Sequence, residues 1–365
     1  MIKTRRDFIK KAAFASVVPI ILPSHLVTAK NKPSDRITVG FIGMGKKGKQ
    51  HLRTFLSTQV QVVAVCDVDT TRRESALANV NKYYQQNPKK GTADCKAYND
   101  FRELIARDDI DAVCICTPDH WHAYPAIAAI RSGKDVYCEK PLTHNVHEAI
   151  TIIKEVSKHG GVFQTGSQQR SRPEFRVACE LVRNGVIGKI DHIDCSFGSP
   201  AIACDLGEEA MEPGLDWDMW LGPAPMRPYN SILSPRGIHT YFPHWRLYKE
   251  FGGGMVCDWG AHHIDIAQWG LGMDDSGPVE VVPPKNPEAI QGAFLKYANG
   301  IKVNHHSVGY GVHFFGDQGE VKVNRGKFEL ILDGKKVAGY ARGDRRASLD
   351  SQLVLAERNF LKDSM

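Results

Sequence analysis

The sequence predicts an α/β protein. A first domain is built on a parallel sheet with crossover helices, and an α+β domain with a mostly antiparallel sheet follows it. Three observations carry this. Between residues 36 and 165, apolar strand-like runs alternate with helical patterns, the signature of parallel strands joined by helices. The glycine-rich segment Gly43-Met44-Gly45-Lys46-Lys47-Gly48 directly follows the first apolar run, Ile37 to Ile42. Beyond residue 190, strand-like runs succeed one another with few helices between them. The spans predicted are 36–166 and 167–365, with a boundary near Gln168-Gln169-Arg170. A chain of 365 residues suits about two domains, and 42% hydrophobic with 24% charged residues suits packed cores.

Residues 1–29 read as an address rather than as part of the fold. Thr4-Arg5-Arg6-Asp7-Phe8-Ile9-Lys10 resembles a twin-arginine export motif, and Val27-Thr28-Ala29 offers small residues to a signal peptidase. The apolar stretch between them, Ala12 to Leu22, is too short for a membrane span. These expectations place the protein in the periplasm, delivered folded by the twin-arginine machinery. The segment also holds +4 of the chain's formal +6 charge. The remaining +2 contains no basic block of the kind that binds nucleic acid. Nine cysteines without a Cys-x-x-Cys pair argue against a disulfide framework or a zinc site, and no metal is expected. Cys66, Cys114, Cys116 and Cys138 lie in apolar runs and read as small buried residues.

The glycine loop sits between a strand pattern and a helix carrying His51-Leu52, the dinucleotide-binding (Rossmann) arrangement. Gly43 permits the tight turn, Gly45 lets backbone approach a pyrophosphate, and Gly48 allows close helix–strand packing. Free N–H groups at the helix start face the phosphates. The next strand, Val60 to Cys66, ends at Asp67, 24 residues after Gly43. A carboxylate there accepts from the ribose hydroxyls and repels a 2′-phosphate, so NAD is favoured over NADP; Arg72 and Arg73 keep NADP as the minority option.

Two further strand ends carry chemistry. Ala112 to Cys116 runs into Thr117-Pro118-Asp119-His120-Trp121-His122, and Asp135 to Cys138 runs into Glu139-Lys140-Pro141. Both belong at the carboxyl edge of the sheet, where ligands bind. A lysine beside a cationic ring in a partly dry cleft has its ammonium form disfavoured, which suits proton transfer. Helices are expected over Tyr124–Arg131, His147–His159 and 173–184, and a strand over Gly161–Gln164. In the second domain, strands are expected over Ile190–Phe197, Ala293–Tyr297, Ile301–Val308, Glu320–Val323 and Lys327–Leu332. They are interrupted by a long Pro/Gly/Trp-rich stretch, roughly 200–254, which reads as a substrate-facing insertion. It ends in Gly252-Gly253-Gly254, which should leave the start of the following helix open to substrate. Asp258, His262 and Asp265 then fall at i, i+4 and i+7, one stripe of a helix.

Together these motifs make the chain similar to the glucose–fructose oxidoreductase/inositol dehydrogenase/rhizopine catabolism (Gfo/Idh/MocA) family. The likeness rests on the glycine fingerprint, Thr117-Pro118 followed by His122, Gly133-Lys134, Glu139-Lys140-Pro141, and Gly-Gly-Gly with Asp258-x-x-x-His262. It covers residues 36 to about 330. The resemblance implies a large open sheet in the second domain, used in many relatives for oligomerisation, so a homo-oligomer is expected. It implies Lys140, Asp258 and His262 as the catalytic set, acting on hydroxyls of sugars or cyclitols, with the proton assigned jointly to Lys140 and His262. It implies a tightly held nicotinamide in exported members. Gly43, Met44, Gly45, Gly48, Asp67, Thr117, Pro118, His122, Glu139 and Lys140 are the expected cofactor residues. His120, Gln169, Arg170, His244, Trp245, Arg246 and His263 are the expected sugar contacts, with Trp217 and Trp220 as further aromatic faces. Relatives continue through C-terminal helices, whereas this chain stops at Met365, so a truncated second domain is expected. Two chemistries fit: net oxidation of a sugar hydroxyl, or a redox-neutral glycosidase or lyase passing through a transient keto-sugar. A nucleotide-sensing regulator and a metal enzyme using His239, His244, His262 or Asp258 fit less well.

Overall fold

A computed structural model of the chain describes residues 36–306, 309 and 311–341. The export-like segment and the C-terminal residues beyond 341 lie outside the described residues.

The first sheet has six parallel strands in the order β3-β2-β1-β4-β5-β6. They are β1 (Thr38–Ile42), β2 (Gln61–Cys66), β3 (Lys96–Tyr98), β4 (Ala112–Ile115), β5 (Asp135–Cys138) and β6 (Phe163–Thr165). Helices α1 (Lys46–Leu56), α2 (Thr70–Gln86), α3 (Phe101–Ile105), α4 (Ala123–Arg131) and α5 (Val146–His159) make the crossovers. The central strands are buried on both faces, which is why they read as unbroken apolar runs. Side-chain caps start the longer helices where the sequence places an acceptor. Asp69 accepts from Arg72 N at 3.0 Å and Asn145 from Glu148 N at 3.0 Å. The order in which strands are added reverses between the parallel neighbours β1 and β4, the place where such sheets bind ligands.

The second sheet has eight strands in the order β14-β13-β12-β11-β7-β10-β9-β8. They are β7 (Ile190–Cys195), β8 (Glu280–Val282), β9 (Phe294–Lys296), β10 (Lys302–His305), β11 (Val312–Gly316), β12 (Gly319–Asn324), β13 (Lys327–Leu332) and β14 (Lys335–Ala341). Every pairing is antiparallel except β7 with β10. One face packs on α6 (Pro173–Arg183) and α9 (Gly260–Gly270), with Phe175, Leu181, Ile266, Phe314, Val321 and Phe328 in a common core.

The 200–254 stretch is more than a connecting loop. It folds round its own apolar cluster of Trp217, Trp220, Tyr229, Leu233, Trp245 and Phe251. The Trp217 and Trp220 rings stack at 4.6 Å. Its short helices are α7 (Trp217–Leu221) and a one-turn helix, His244–Leu247. Arg72 of the first sheet's α2 reaches into it and donates to the Pro235 and Gly237 carbonyls and the Ser234 hydroxyl. The stretch therefore lies over the carboxyl edge of the first sheet. Among the described residues no helix is long and apolar enough to cross a membrane. All nine cysteines are free thiols.

Candidate active site

Two adjoining cavities open at the carboxyl edge of the first sheet. The first is lined by the glycine loop on one side and by the 230–246 segment on the other. Gly43 turns at φ +89°, and a side chain there would strike the Cys116–Thr117 backbone. A Cβ on Gly48 would lie 2.0 Å from the Gly43 carbonyl oxygen, so α1 can start this close to the loop only as glycine. A Cβ on Gly45 would meet nothing within 4 Å, because this position faces the open cleft. The Thr117 hydroxyl oxygen is buried without a hydrogen-bond partner and belongs to the walls of both cavities. A loop open at Gly45 and an orphaned hydroxyl beside it fit a dinucleotide.

Asp67 lines this cleft, but its first task is to order the loop. Its carboxylate accepts from Met44 N at 2.6 Å and from Asp69 N at 2.9 Å. Burial raises this carboxyl above its usual range, opposed by Arg72 and the two N–H groups. Met44 contributes only backbone, since its side chain is fully buried. Glu139 is a hub rather than a surface contact. It accepts from His51 Nε2 at 2.6 Å and lies 3.3 Å from Lys47 Nζ, which ties α1 to the end of β5. Those partners hold its carboxyl below the usual range against the cost of burial. His122 is buried between the Pro141 carbonyl at 2.7 Å and the Thr117 carbonyl at 3.0 Å. It staples the two strand-end turns, Thr117-Pro118 and Lys140-Pro141, to each other.

The second cavity brings together Lys140, Asp258, His262, His244 and Arg246. Lys140 Nζ donates to Asp258 Oδ1 at 2.5 Å and to the Asp258 carbonyl at 2.8 Å. Arg246 Nε stands 3.7 Å from the same carboxylate. Neither ring nitrogen of His262 has a hydrogen-bond partner among the described residues. Burial, with the charges of Lys140 and Arg325, pushes its pKa down to about 2, so the ring is neutral. The cavities share Thr117, Lys47, Phe242, Pro243 and Arg246 as walls. Residues 140 and 262, far apart in sequence, therefore face one space next to the glycine loop.

Several expected contacts stand elsewhere. The helical stripe of Asp258, His262 and Asp265 is broken at Trp259, which separates α8 (Gly254–Asp258) from α9. Asp258 consequently serves Lys140 rather than the imidazole, and Asp265 pairs with Arg170 at 2.8 Å. Arg170 also holds Asp274 and lies away from the cavity, because two carboxylates draw it outward. His120 is buried against Trp220 and Phe251 and bonds the Trp220 carbonyl at 3.1 Å, so it is a core residue. His263 points the other way from His262, and its Nδ1–H donates to the Ser196 carbonyl oxygen at 2.6 Å. Gln169 is buried behind the cavity, where it bridges the His262 carbonyl and Arg325. Trp245 lines the nucleotide cleft and stacks under Arg246, 4.1 Å from its ring centroid, rather than facing the second cavity. The triple glycine is crowded, not open: a Cβ on Gly254 would lie 2.3 Å from Ala201 N. Residues that motif reading missed are Lys47, Asp119, Gln168, Trp259 and Arg325. Lys47 carried a signal as a cation inside the glycine fingerprint, and Asp119 as part of the strand-end run Thr117 to His122.

A model of the GFO_IDH_MocA oxidoreductase family's NAD-binding Rossmann fold matches residues 37–167, and one of its C-terminal alpha/beta domain matches residues 201–308. The chain belongs to the Gfo/Idh/MocA oxidoreductase family. Among curated relatives, a glycosyl hydrolase family 109 protein of Shewanella putrefaciens is 34% identical over 165 residues, 45% of this chain and 35% of that one. An alpha-N-acetylgalactosaminidase of Shewanella oneidensis is 31% identical over 190 residues, 52% of this chain and 39% of that one. The matches thus span little more than a third of those relatives' lengths. Among solved structures, myo-inositol dehydrogenase from Lactobacillus casei, in complex with NAD(H) and myo-inositol, superposes with a TM-score of 0.53. It is 21% identical, covering 89% of this chain and 84% of that one, a likeness of fold. The family's NAD-binding Rossmann fold spans the glycine loop that lines the first cavity.

Proposed function

We propose that the protein transfers a hydride between a nicotinamide held in the first cavity and a hydroxyl-bearing carbon of a sugar, glycoside or cyclitol held in the second. One observation carries this reading: Lys140, Asp258 and His262 line a single cavity that shares its wall with the glycine-loop cleft. The nicotinamide supplies the hydride chemistry when bound. The chain's own groups handle the proton. Lys140 Nζ takes the hydroxyl proton while passing one to Asp258, and the neutral His262 ring donates its one N–H to the oxygen of the same hydroxyl. His122 and Glu139 fix the strand ends that carry these groups. His244 and Arg246 offer donors to further sugar hydroxyls.

NAD is the better fit than NADP. Asp67 lines the cleft as an acid, and both candidate cations for a 2′-phosphate are spent on the protein. Arg72 holds the 234–237 backbone, and Arg73 donates to the Asp67 carbonyl and Asn99 Oδ1 at 2.8 Å each. The 230–246 segment over the cleft supports tight retention of the nucleotide. Delivery to the periplasm by the twin-arginine route rests on the sequence motif of residues 4–10.

The test begins with mass spectrometry of nucleotide released from the purified protein. Absorbance of the reduced nicotinamide is then followed against a panel of sugars. Lys140→Ala should lower turnover by about a thousandfold while nucleotide stays bound. Undiminished turnover would end the proposal.

The names of the curated relatives favour a second reading, a redox-neutral glycosidase. Oxidising one ring hydroxyl acidifies the neighbouring C–H, that proton and the glycosidic group are eliminated, water adds across the double bond left behind, and the hydride returns to the keto carbon in the same cycle. Net cleavage of glycosides without an external electron acceptor would establish it. Oxidation without cleavage would leave only the dehydrogenase.

A further inference from the structure

Arg325 occupies the tip of the β12–β13 hairpin, where Asn324 pairs with Lys327 and Gly326 turns at φ +73°. From there it reaches into the wall of the second cavity. Three contacts hold it in place. Its guanidinium lies 4.4 Å from the centroid of the Trp259 ring. Its Nε donates to Gln169 Oε1 at 2.8 Å, and Gln169 is only 1% exposed. Behind it, Gly326 N donates to the buried Glu174 carboxylate at 2.8 Å.

A guanidinium has five N–H donors in a fixed fork. One is spent on Gln169, and the four on the two Nη atoms meet no acceptor among the described residues. The other cations of the cavity each face a carboxylate, Lys140 and Arg246 sharing one. Lys140 and Arg246 face Asp258 at 2.5 and 3.7 Å, and Lys47 faces Glu139 at 3.3 Å. The remaining carboxyl, Asp119, is lifted to about 8 by burial, which favours its neutral form. Arg325 is therefore surplus positive charge. Its partial burial and the like charge of Arg172 disfavour that charge, opposed by the Asp258 carboxylate. A ligand anion meeting both Nη groups offsets the cost through charge-assisted, two-pronged hydrogen bonds.

We infer that the substrate is an acidic sugar, carrying a carboxylate or a sulfate or phosphate ester, and that Arg325 receives this oxyanion while the carbinol faces Lys140, Asp258 and His262. The Trp259 stack and the Gln169 bond pre-orient the fork, so little side-chain freedom is lost on binding. This assignment rests on the hydride-transfer reading of the same cavity and adds to it the chemical class of the substrate.

The experiment uses the full chain with its bound nucleotide and sugars that differ only in the anion. These are D-galactose against D-galacturonate, D-glucose against D-glucuronate, and N-acetyl-D-galactosamine against its 6-sulfate and 6-phosphate. Calorimetry reads binding, and reduced-nicotinamide absorbance reads turnover. At least one acidic member should bind about tenfold or more tightly than its neutral parent. The preferred arm names the anion. Arg325→Gln should erase the gap, and Arg325→Lys, which keeps the charge but loses the fork, should keep part of it. Neutral parents that bind as tightly as all their acidic partners overturn the inference without any variant needing to fold. So does a gap that survives Arg325→Gln. Repeating the calorimetry on Lys140→Ala separates the two readings. An Arg325-dependent gap without hydride transfer to any sugar supports this inference and sinks the redox reading. Turnover of neutral sugars with no preference for acids sinks this inference alone.

Discussion

Asp119 lies at the back of the second cavity, 5% exposed, with Arg246, Lys140 and Asp258 round it. Burial lifts its carboxyl from 3.8 to about 8, opposed by Arg246 and Lys140. The unfolded chain releases this proton near pH 4, whereas the folded chain keeps it until about pH 8. Stability tied to this group is therefore complete below pH 4 and is lost as pH rises through 8. Asp119→Asn keeps the shape and removes the titration. Its melting temperature, compared with the parent's from pH 5 to 9, should gain steadily up to about pH 8 and level off above it. A difference that is flat with pH would contradict this assignment. At this scale sequence reading located the strand-end residues well, because Lys140, Thr117 and Asp67 follow directly from where apolar runs stop. It located their partners poorly. Nothing local separates His262, which faces the cavity, from His263, which the next step round the helix turns into the sheet. Arg325 was invisible because its meaning depends on a hairpin folding back onto Trp259 from more than sixty residues away.

The glycine loop and α1 act as one unit, and their spacing is fixed at Gly48. Gly48→Ala would place its Cβ 2.0 Å from a backbone carbonyl that cannot rotate aside. The start of α1 should move outward, at a cost of about 1–3 kcal/mol in stability. Nucleotide affinity should fall by more than stability alone explains. Denaturant unfolding and nucleotide titration of the same variant check both. Element prediction followed the same physics. The central parallel strands were legible because burial on two faces makes them apolar throughout. Helix α2 was not, since it buries only the narrow stripe Arg72, Ala76, Val80 and Tyr84. Strand β14, with three exposed residues at its start and a glycine inside, gave no alternation to read. The aromatic residues of 200–254 follow neither a 3.6 nor a 2 period, so their shared core appears only in three dimensions.

At the scale of the molecule, the aromatic segment joins the two sheets across the nucleotide cleft, and Arg72 is its principal anchor on the first. Arg72→Met retains the buried stem and removes the donors to Ser234, Pro235 and Gly237. Nucleotide should then dissociate at least about tenfold faster, with both sheets still folded. Stopped-flow release and circular dichroism read the two outcomes separately, and unchanged release would remove the segment from its retaining role. A different consequence follows from the hairpin that carries Arg325. Its turn is two residues long, its strands belong to the second sheet, and its hold on the cavity is one stacked ring and one amide. The groups proposed to move protons stand on other parts of the chain, with Lys140 at a strand end of the first sheet. The proposed choice of substrate is thereby separable from the proposed reaction. Exchanging a hairpin tip would alter which sugar is received and leave the proton-moving groups untouched.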